Sequence, residues 1–193
     1  MTDVKRPRWE RLAADLERVQ PADEVEAGHL ARCLSLARQG AETLERGHFD
    51  PGHFTASAFV LSPDEASLLL IFHGKLHRWL QPGGHVDASD PSVEAAARRE
   101  VAEETGLDEL TRVGDGVFDV DVHEIPSLRG EPAHLHHDVR YLFVARDTKA
   151  RAGSDAQDAR WVPLDEVGDV ESDESVLRAV RKLRTTRAGT PSS

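Results

Sequence analysis

Apolar residues recur at helical spacing from about Arg8 to Arg46. Trp9, Leu12, Leu16 and Val19 form one stripe, Pro21 interrupts it, and Val25, Leu30, Leu34, Leu36 and Leu44 form a second. Both stripes predict amphipathic helices. Gly47 and Pro51-Gly52 close this region, and the period then changes. His53 to Leu61, rich in Phe, Thr and Val, and Ser67 to Phe72 read as strands flanking the turn Ser62-Pro63-Asp64-Glu65, a hairpin. Trp79 to Gly84 reads as a short strand running into a loop. A helix follows, with Asp90 as N-cap, Pro91 at the first helical position, the helix-forming run Ala95 to Arg99, and Gly106 as the stop. Beyond it, Val113 to Ile125 alternates, with Val117, Asp119, Asp121 and His123 on one face and Phe118, Val120 and Val122 on the other. Pro126 to Pro132 is a loop, Asp138 to Ala145 an apolar strand, Arg151 to Asp158 a polar loop and Trp161-Val162 a short strand. Ser172 to Leu183 predicts a last helix and Thr185 to Ser193 a frayed tail.

These elements divide the chain into an N-terminal helical extension (1–50), a main domain (51–185) and a flexible tail (186–193). At 193 residues there is enough chain for one core, since about 150 residues already bury some two-thirds of their unfolded surface. The net charge of −11 argues against stable nucleic-acid binding, which rests on Lys and Arg neutralising phosphates. It leaves a nucleotide-type small molecule open, because a bound cation reverses the local field. The single cysteine, Cys33, lies in an apolar helical pattern and reads as a packing residue without a disulfide partner. The longest apolar run, Leu68 to Phe72, is far too short to span a bilayer, and the N-terminus has no apolar leader. A soluble cytoplasmic protein is expected.

Candidate chemistry concentrates in Arg99-Glu100-Val101-Ala102-Glu103-Glu104-Thr105-Gly106-Leu107. Helical positions three and four apart share a face, so Glu100, Glu103 and Glu104 point the same way. Three neighbouring anions repel one another and raise one another's pKa. A hard divalent ion such as Mg²⁺ explains them, because it prefers oxygen ligands. The face has no interleaved lysines and follows the Gly83-Gly84 pair, which sets it apart from an ordinary solvated helix.

Together with Gly84 and Asp90, this stretch resembles the Nudix hydrolase box, whose second half reads R-E-U-x-E-E-x-G-U with U bulky and apolar. That half matches completely. The first half departs: Asp90 stands where the family usually has Glu, and an extra residue falls between Ser89 and Ser92. The resemblance covers about Phe54 to Leu183. It implies an α+β fold, an α/β/α sandwich with a mixed β-sheet, here with the helical extension added. It also implies hydrolysis of a nucleoside diphosphate linked to another group, with Mg²⁺ as cofactor and Mn²⁺ as a substitute. By the same resemblance Glu100, Glu103, Glu104 and the Gly83 carbonyl ligate metal, and Arg99 orients the glutamates. Gly83 and Gly84 let backbone approach closely where a Cβ would obstruct. In parts of the family an acidic loop residue before a strand Trp is the general base. Asp155 lies six positions before Trp161 and Asp158 three; Asp155 is favoured, with Glu103 as the alternative.

His134-Leu135-His136-His137-Asp138 is the other unusual stretch. At strand spacing His134, His136 and Asp138 share one face. They could form a substrate wall, a separate transition-metal site, or a polar edge in solvent, with the substrate wall favoured; His85, beside Gly84, is either a phosphate contact or a plain loop residue. Trp79 and Trp161 read as packing residues. His73, Lys75, His77 and Arg78 form a basic hairpin edge. The N-terminal helices either cover the substrate site or build a homodimer interface. Two other functions compete: a non-catalytic nucleotide sensor, and an isomerase of prenyl diphosphates, which shares this fold. The complete glutamate set argues against the sensor, and the position of Cys33 outside the main domain against the isomerase.

Overall fold

The structure, a computed structural model, describes residues 6–128, 130–153 and 156–188. The first apolar stripes become helices α1 (Arg8–Leu16) and α2 (Glu24–Ala37), followed by a 3₁₀ turn at Ala41–Leu44. The helical region is thus broken into three, and α2 starts where the Asp23 side chain accepts the Glu26 amide at 2.8 Å. Strands β1 (Gly52–Leu61) and β2 (Ser67–His73) form the predicted hairpin, and β3 (Arg78–Leu80) and β4 (Gly83–His85) follow. Helix α3 (Val93–Thr105) precedes β5 (Leu110–Arg112), β6 (Asp119–Ile125), β7 (His134–Ala145) and β8 (Ala156–Pro163). Helix α4 (Glu174–Ala188) runs past the predicted end at Leu183.

Three boundaries differ from the sequence pattern. The alternating run from Val113 divides, because β5 and β6 pair with different stretches of β7 on either side of a loop at 113–118. Strand β7 begins at His134 rather than Asp138, since its parallel ladder with β1 starts at Gly52 opposite Leu135 and continues to Leu61 opposite Val144. The segment before Trp161 is strand from Ala156, because it pairs with β2. Parallel β1 and β7 form the centre of one mixed sheet. β4 and β2 share the free edge of β1, and β5 and β6 share that of β7.

One face of this sheet is apolar along its length. Phe54, Ala56, Ala58 and Val60 of β1 join Val139, Tyr141 and Phe143 of β7 and Val120 and Val122 of β6. Helices α1, α2 and α3 cover it with Leu12, Leu16, Leu30, Cys33, Leu36, Ala96, Ala97 and Val101. The N-terminal helices therefore belong to the main core and are no appendage. Cys33 is fully buried there, and burial pushes its thiol pKa up, which fits a packing role. The opposite face changes character along the strands. Phe59, Leu61, Leu142, Leu68 and Leu70 pack under Val176, Ala179, Val180 and Leu183 of α4. Toward the start of β1 the same face carries His53, Thr55 and Ser57, in register with His136, Asp138 and Arg140. No described helix is long and apolar enough to cross a membrane.

Candidate active site

Helix α3 is set in place at both ends. Its N-cap is Ser92, whose hydroxyl accepts the Ala95 amide at 3.1 Å, and Gly106 ends it with φ +73°. The predicted cap, Asp90, is two residues too early. Its carboxylate is used otherwise, accepting the Asp87 amide at 2.8 Å and the Nε and Nη2 groups along one edge of the Arg99 guanidinium. The extra residue of the motif therefore lies in the loop, outside the helix. Helix α1 holds this loop from outside, with the Arg8 guanidinium donating to the carbonyls of Asp87 at 2.6 Å and Asp90 at 2.8 Å.

With Val93, Ala96, Ala97 and Val101 facing the sheet, the glutamates stand on the side toward β4. Arg99 gathers them. Its Nη1 donates to Glu100 at 2.8 Å and to Glu103 at 3.1 Å, while Nη2 donates to the His85 carbonyl at 2.9 Å. Glu104 accepts the Gly83 amide at 2.9 Å. The glutamates differ in exposure: the Glu103 side chain is 53% exposed and that of Glu100 14%, while Glu104 is buried. Burial raises the Glu100 pKa, and Arg99 offsets this only in part. A Cβ on Gly84 would lie 2.6 Å from the Glu100 carboxyl carbon, so the bare backbone is what fits against that carboxylate.

A second close approach comes from the loop ahead of β8. Gly153 donates to the Glu104 carbonyl at 2.7 Å and Arg151 to that of Thr105 at 2.8 Å. A Cβ on Gly153 would meet the Glu103 carbonyl oxygen at 1.9 Å. The sequence marks Gly153 only as part of a polar loop, and its contact is with a helix distant in the chain. Asp155 lies outside the described residues. Asp158 is exposed, and its carboxylate accepts the Ala159 amide at 2.8 Å. Trp79 stacks beneath the Arg160 guanidinium at 4.0 Å, and the Trp161 indole donates to the Thr148 carbonyl at 3.1 Å; both pack, as expected.

The histidines take a different course. Adjacent strand residues face opposite sides: Gly84 faces Glu100, whereas His85 faces His53 and His136, with ring centroids 5.2 Å from each. His134 is buried, stacked on His53 at 5.1 Å, with its Nδ1 2.8 Å from the Pro132 carbonyl. The proposed wall is thus spent largely on contacts among histidines. Asp138 corrects the sequence reading outright. It is buried and accepts four donors: Thr55 at 3.0 Å, Ser57 at 2.7 Å, Gln81 at 3.3 Å and Arg140 at 2.8 Å. A buried carboxylate so engaged ties β1, β7 and the residue after β3 together, which is a structural role rather than a place in a substrate wall. Arg140 also reaches Asp119 at 3.2 Å, and Arg178 of α4 bridges Asp119 and Asp121 at 3.1 and 3.2 Å. Sequence reasoning missed His53, Arg140 and Arg178. The polar alternation of His53, Thr55 and Ser57 was the available signal for the face.

The family model described as NUDIX domain matches residues 51–182. No curated protein matches the chain. Among solved structures, the Nudix hydrolase RenU from M. smegmatis is 22% identical, with 73% of this chain and 89% of that one covered and a TM-score of 0.54. A C. elegans Ap4A hydrolase binary complex is 20% identical over 71% and 98% of the two chains, TM-score 0.57. The NUDIX domain of Shewanella oneidensis NrtR, complexed with ADP ribose, is 20% identical over 69% and 87%, TM-score 0.53. At these identities the likeness establishes the fold.

Proposed function

Because the chain belongs to the Nudix family and is a Nudix hydrolase, we propose that it cleaves the diphosphate bond of a nucleoside diphosphate linked to another group, with Mg²⁺ as its cation. The observation that carries this reading is the glutamate face of α3, with Glu100 and Glu103 gathered by Arg99 and with Glu104 and Glu100 against Gly83-Gly84. The family generally uses divalent cations, and the residues here fit one. The donors are carboxylate oxygens, burial raises the pKa of the largely buried Glu100 despite Arg99, and Gly84 sets bare backbone against that carboxylate where a Cβ would collide with it. Glu100, Glu103, Glu104 and the Gly83 carbonyl would hold the ion. When bound, it would offset diphosphate charge and lower the pKa of a coordinated water.

The remaining roles fall to the chain's own groups. Arg99 fixes the carboxylates through charge-assisted hydrogen bonds, and Asp90 fixes Arg99 in turn. The base that accepts the water proton is Asp155, with Glu103 as the alternative. Supporting Asp155 is the course of the loop: Gly153, two positions before it, lies on the backbone of Glu103 and Glu104. Supporting Glu103 is its exposure, the greatest given for a glutamate of the face.

The test is release of a nucleoside monophosphate from a panel of nucleotide sugars, CDP-alcohols, nucleoside triphosphates and ADP-ribose, with and without Mg²⁺. Turnover that requires the cation supports the proposal. No turnover of any compound at millimolar Mg²⁺ and alkaline pH overturns it, and tight binding with the ligand intact would identify a sensor instead.

A further inference from the structure

We propose that His53, His85 and His136 form a binding site for a transition-metal ion of the zinc class, separate from the carboxylate face of α3. The three come from different strands, β1, β4 and β7. Sheet register places His53 beside His136, and His85 one step along on the neighbouring strand, opposite Thr55. One ligand atom from each lies within 4.8 Å of the others. Tetrahedral zinc with nitrogen ligands at its usual bond lengths needs donor atoms about 3.3 Å apart. The rings would therefore close inward by roughly 1 Å.

His53 is the decisive member. It is 1% exposed, and its Nδ1 lies 3.1 Å from the His48 carbonyl. A carbonyl only accepts, so Nδ1 carries the proton and Nε2 presents a lone pair. That Nε2 is buried and has no hydrogen-bond partner, whereas buried polar atoms are nearly always satisfied. A backbone carbonyl on one ring nitrogen, with the other left open, is the arrangement that orients metal-ligating histidines. The surroundings hold the rings in position. His134 stacks on His53 and is anchored to the Pro132 carbonyl. His123, beside His136, has its Nδ1 3.2 Å from an Asp121 oxygen.

Imidazole nitrogens suit zinc, nickel and copper and not magnesium, which seeks oxygen. The site thus discriminates against the cation proposed for α3. Three protein ligands leave a fourth position for water or an anion. Asp138, which shares a strand face with His136, is not gathered with the three rings and is bonded instead to Thr55, Ser57, Gln81 and Arg140.

The experiment is calorimetric titration of the full chain, prepared without an oligohistidine tag, with ZnCl₂ in saturating Mg²⁺. Replacement of zinc by Co²⁺ then gives a visible spectrum. Expected are uptake of one equivalent and cobalt bands of tetrahedral nitrogen coordination. His85→Ala and His136→Asn should each weaken zinc binding by about tenfold or more, and Glu103→Gln should leave it unchanged. His85 and His136 are used because His53, fully buried, risks the fold. Absence of zinc uptake overturns the proposal, as does uptake that survives both histidine variants or is lost in Glu103→Gln.

Discussion

The Arg99 guanidinium grips the Asp90 carboxylate with two hydrogen bonds, Nε to Oδ1 at 3.1 Å and Nη2 to Oδ2 at 3.0 Å. Burial by itself would raise the Asp90 pKa, but these bonds and the Asp87 amide outweigh it and hold the group below the usual carboxylate range. The pair ties the loop after β4 to the middle of α3, and through Arg99 to Glu100 and Glu103.

Asp90→Asn should therefore destabilise the fold at pH 7 by about 1.5–3 kcal/mol. A depressed folded-state pKa contributes stability above the unfolded value, near 3.9, and loses it as pH falls through the folded value. The gap between wild type and variant should narrow below about pH 4. Denaturant titrations at neutral and acid pH measure it; a gap constant with pH would mean that the charge of Asp90 is irrelevant.

Glu103→Gln should lower kcat by about 10²–10⁴ if Glu103 is the base, with melting unchanged or slightly raised. The side chain is more than half exposed, its bond to Arg99 contributes little there, and removing one of three adjacent anions relieves repulsion. Steady-state rates at saturating Mg²⁺ and a thermal melt decide this. A small loss of rate in Glu103→Gln together with a large one in Asp155→Asn would assign the proton to Asp155.

Arg140→Met should cost about 3–5 kcal/mol of stability. Arg140 is 2% exposed and meets Asp119 and Asp138 at 3.2 and 2.8 Å. Its removal leaves buried carboxylates short of positive charge. Equilibrium unfolding in urea measures the loss, and a variant as stable as wild type would show that Arg178 alone suffices for Asp119 and Asp121.

A chain starting at Gly52 should lose cooperative unfolding and bind a hydrophobic dye, even though the family match begins at residue 51. Truncation strips Leu12, Leu16, Leu30, Cys33 and Leu36 from the main core, each buried leucine contributing about 1.5–3 kcal/mol. It also removes Glu26, whose carboxylate is fully buried against Lys182 of α4. A well-folded truncated domain would mean that α1 and α2 are dispensable.

Local pattern was enough for much of this molecule. The faces of α3 follow from a repeat of about 3.6 residues, so Glu100, Glu103 and Glu104 were legible as one acidic surface, and Gly106 as its end. The hairpin of β1 and β2 was legible because strand-forming composition and a turn are both short-range signals. The start of α3 was misread because Asp90 and Ser92 are equally good caps by residue type. The choice fell to Ser92 once Arg99, nine residues on, took up the Asp90 carboxylate.

What the sequence by itself determined was therefore each element with its own faces, since those depend only on neighbours along the chain. Tertiary structure decided which faces meet. The parallel register of β1 with β7 sets His53 beside His136 and Thr55 beside Asp138, and the β4 pairing adds His85. No periodicity within one strand encodes its offset against another, because register is fixed by long-range pairing and burial. The same residue types in a ladder shifted by one position would face the other side of the sheet.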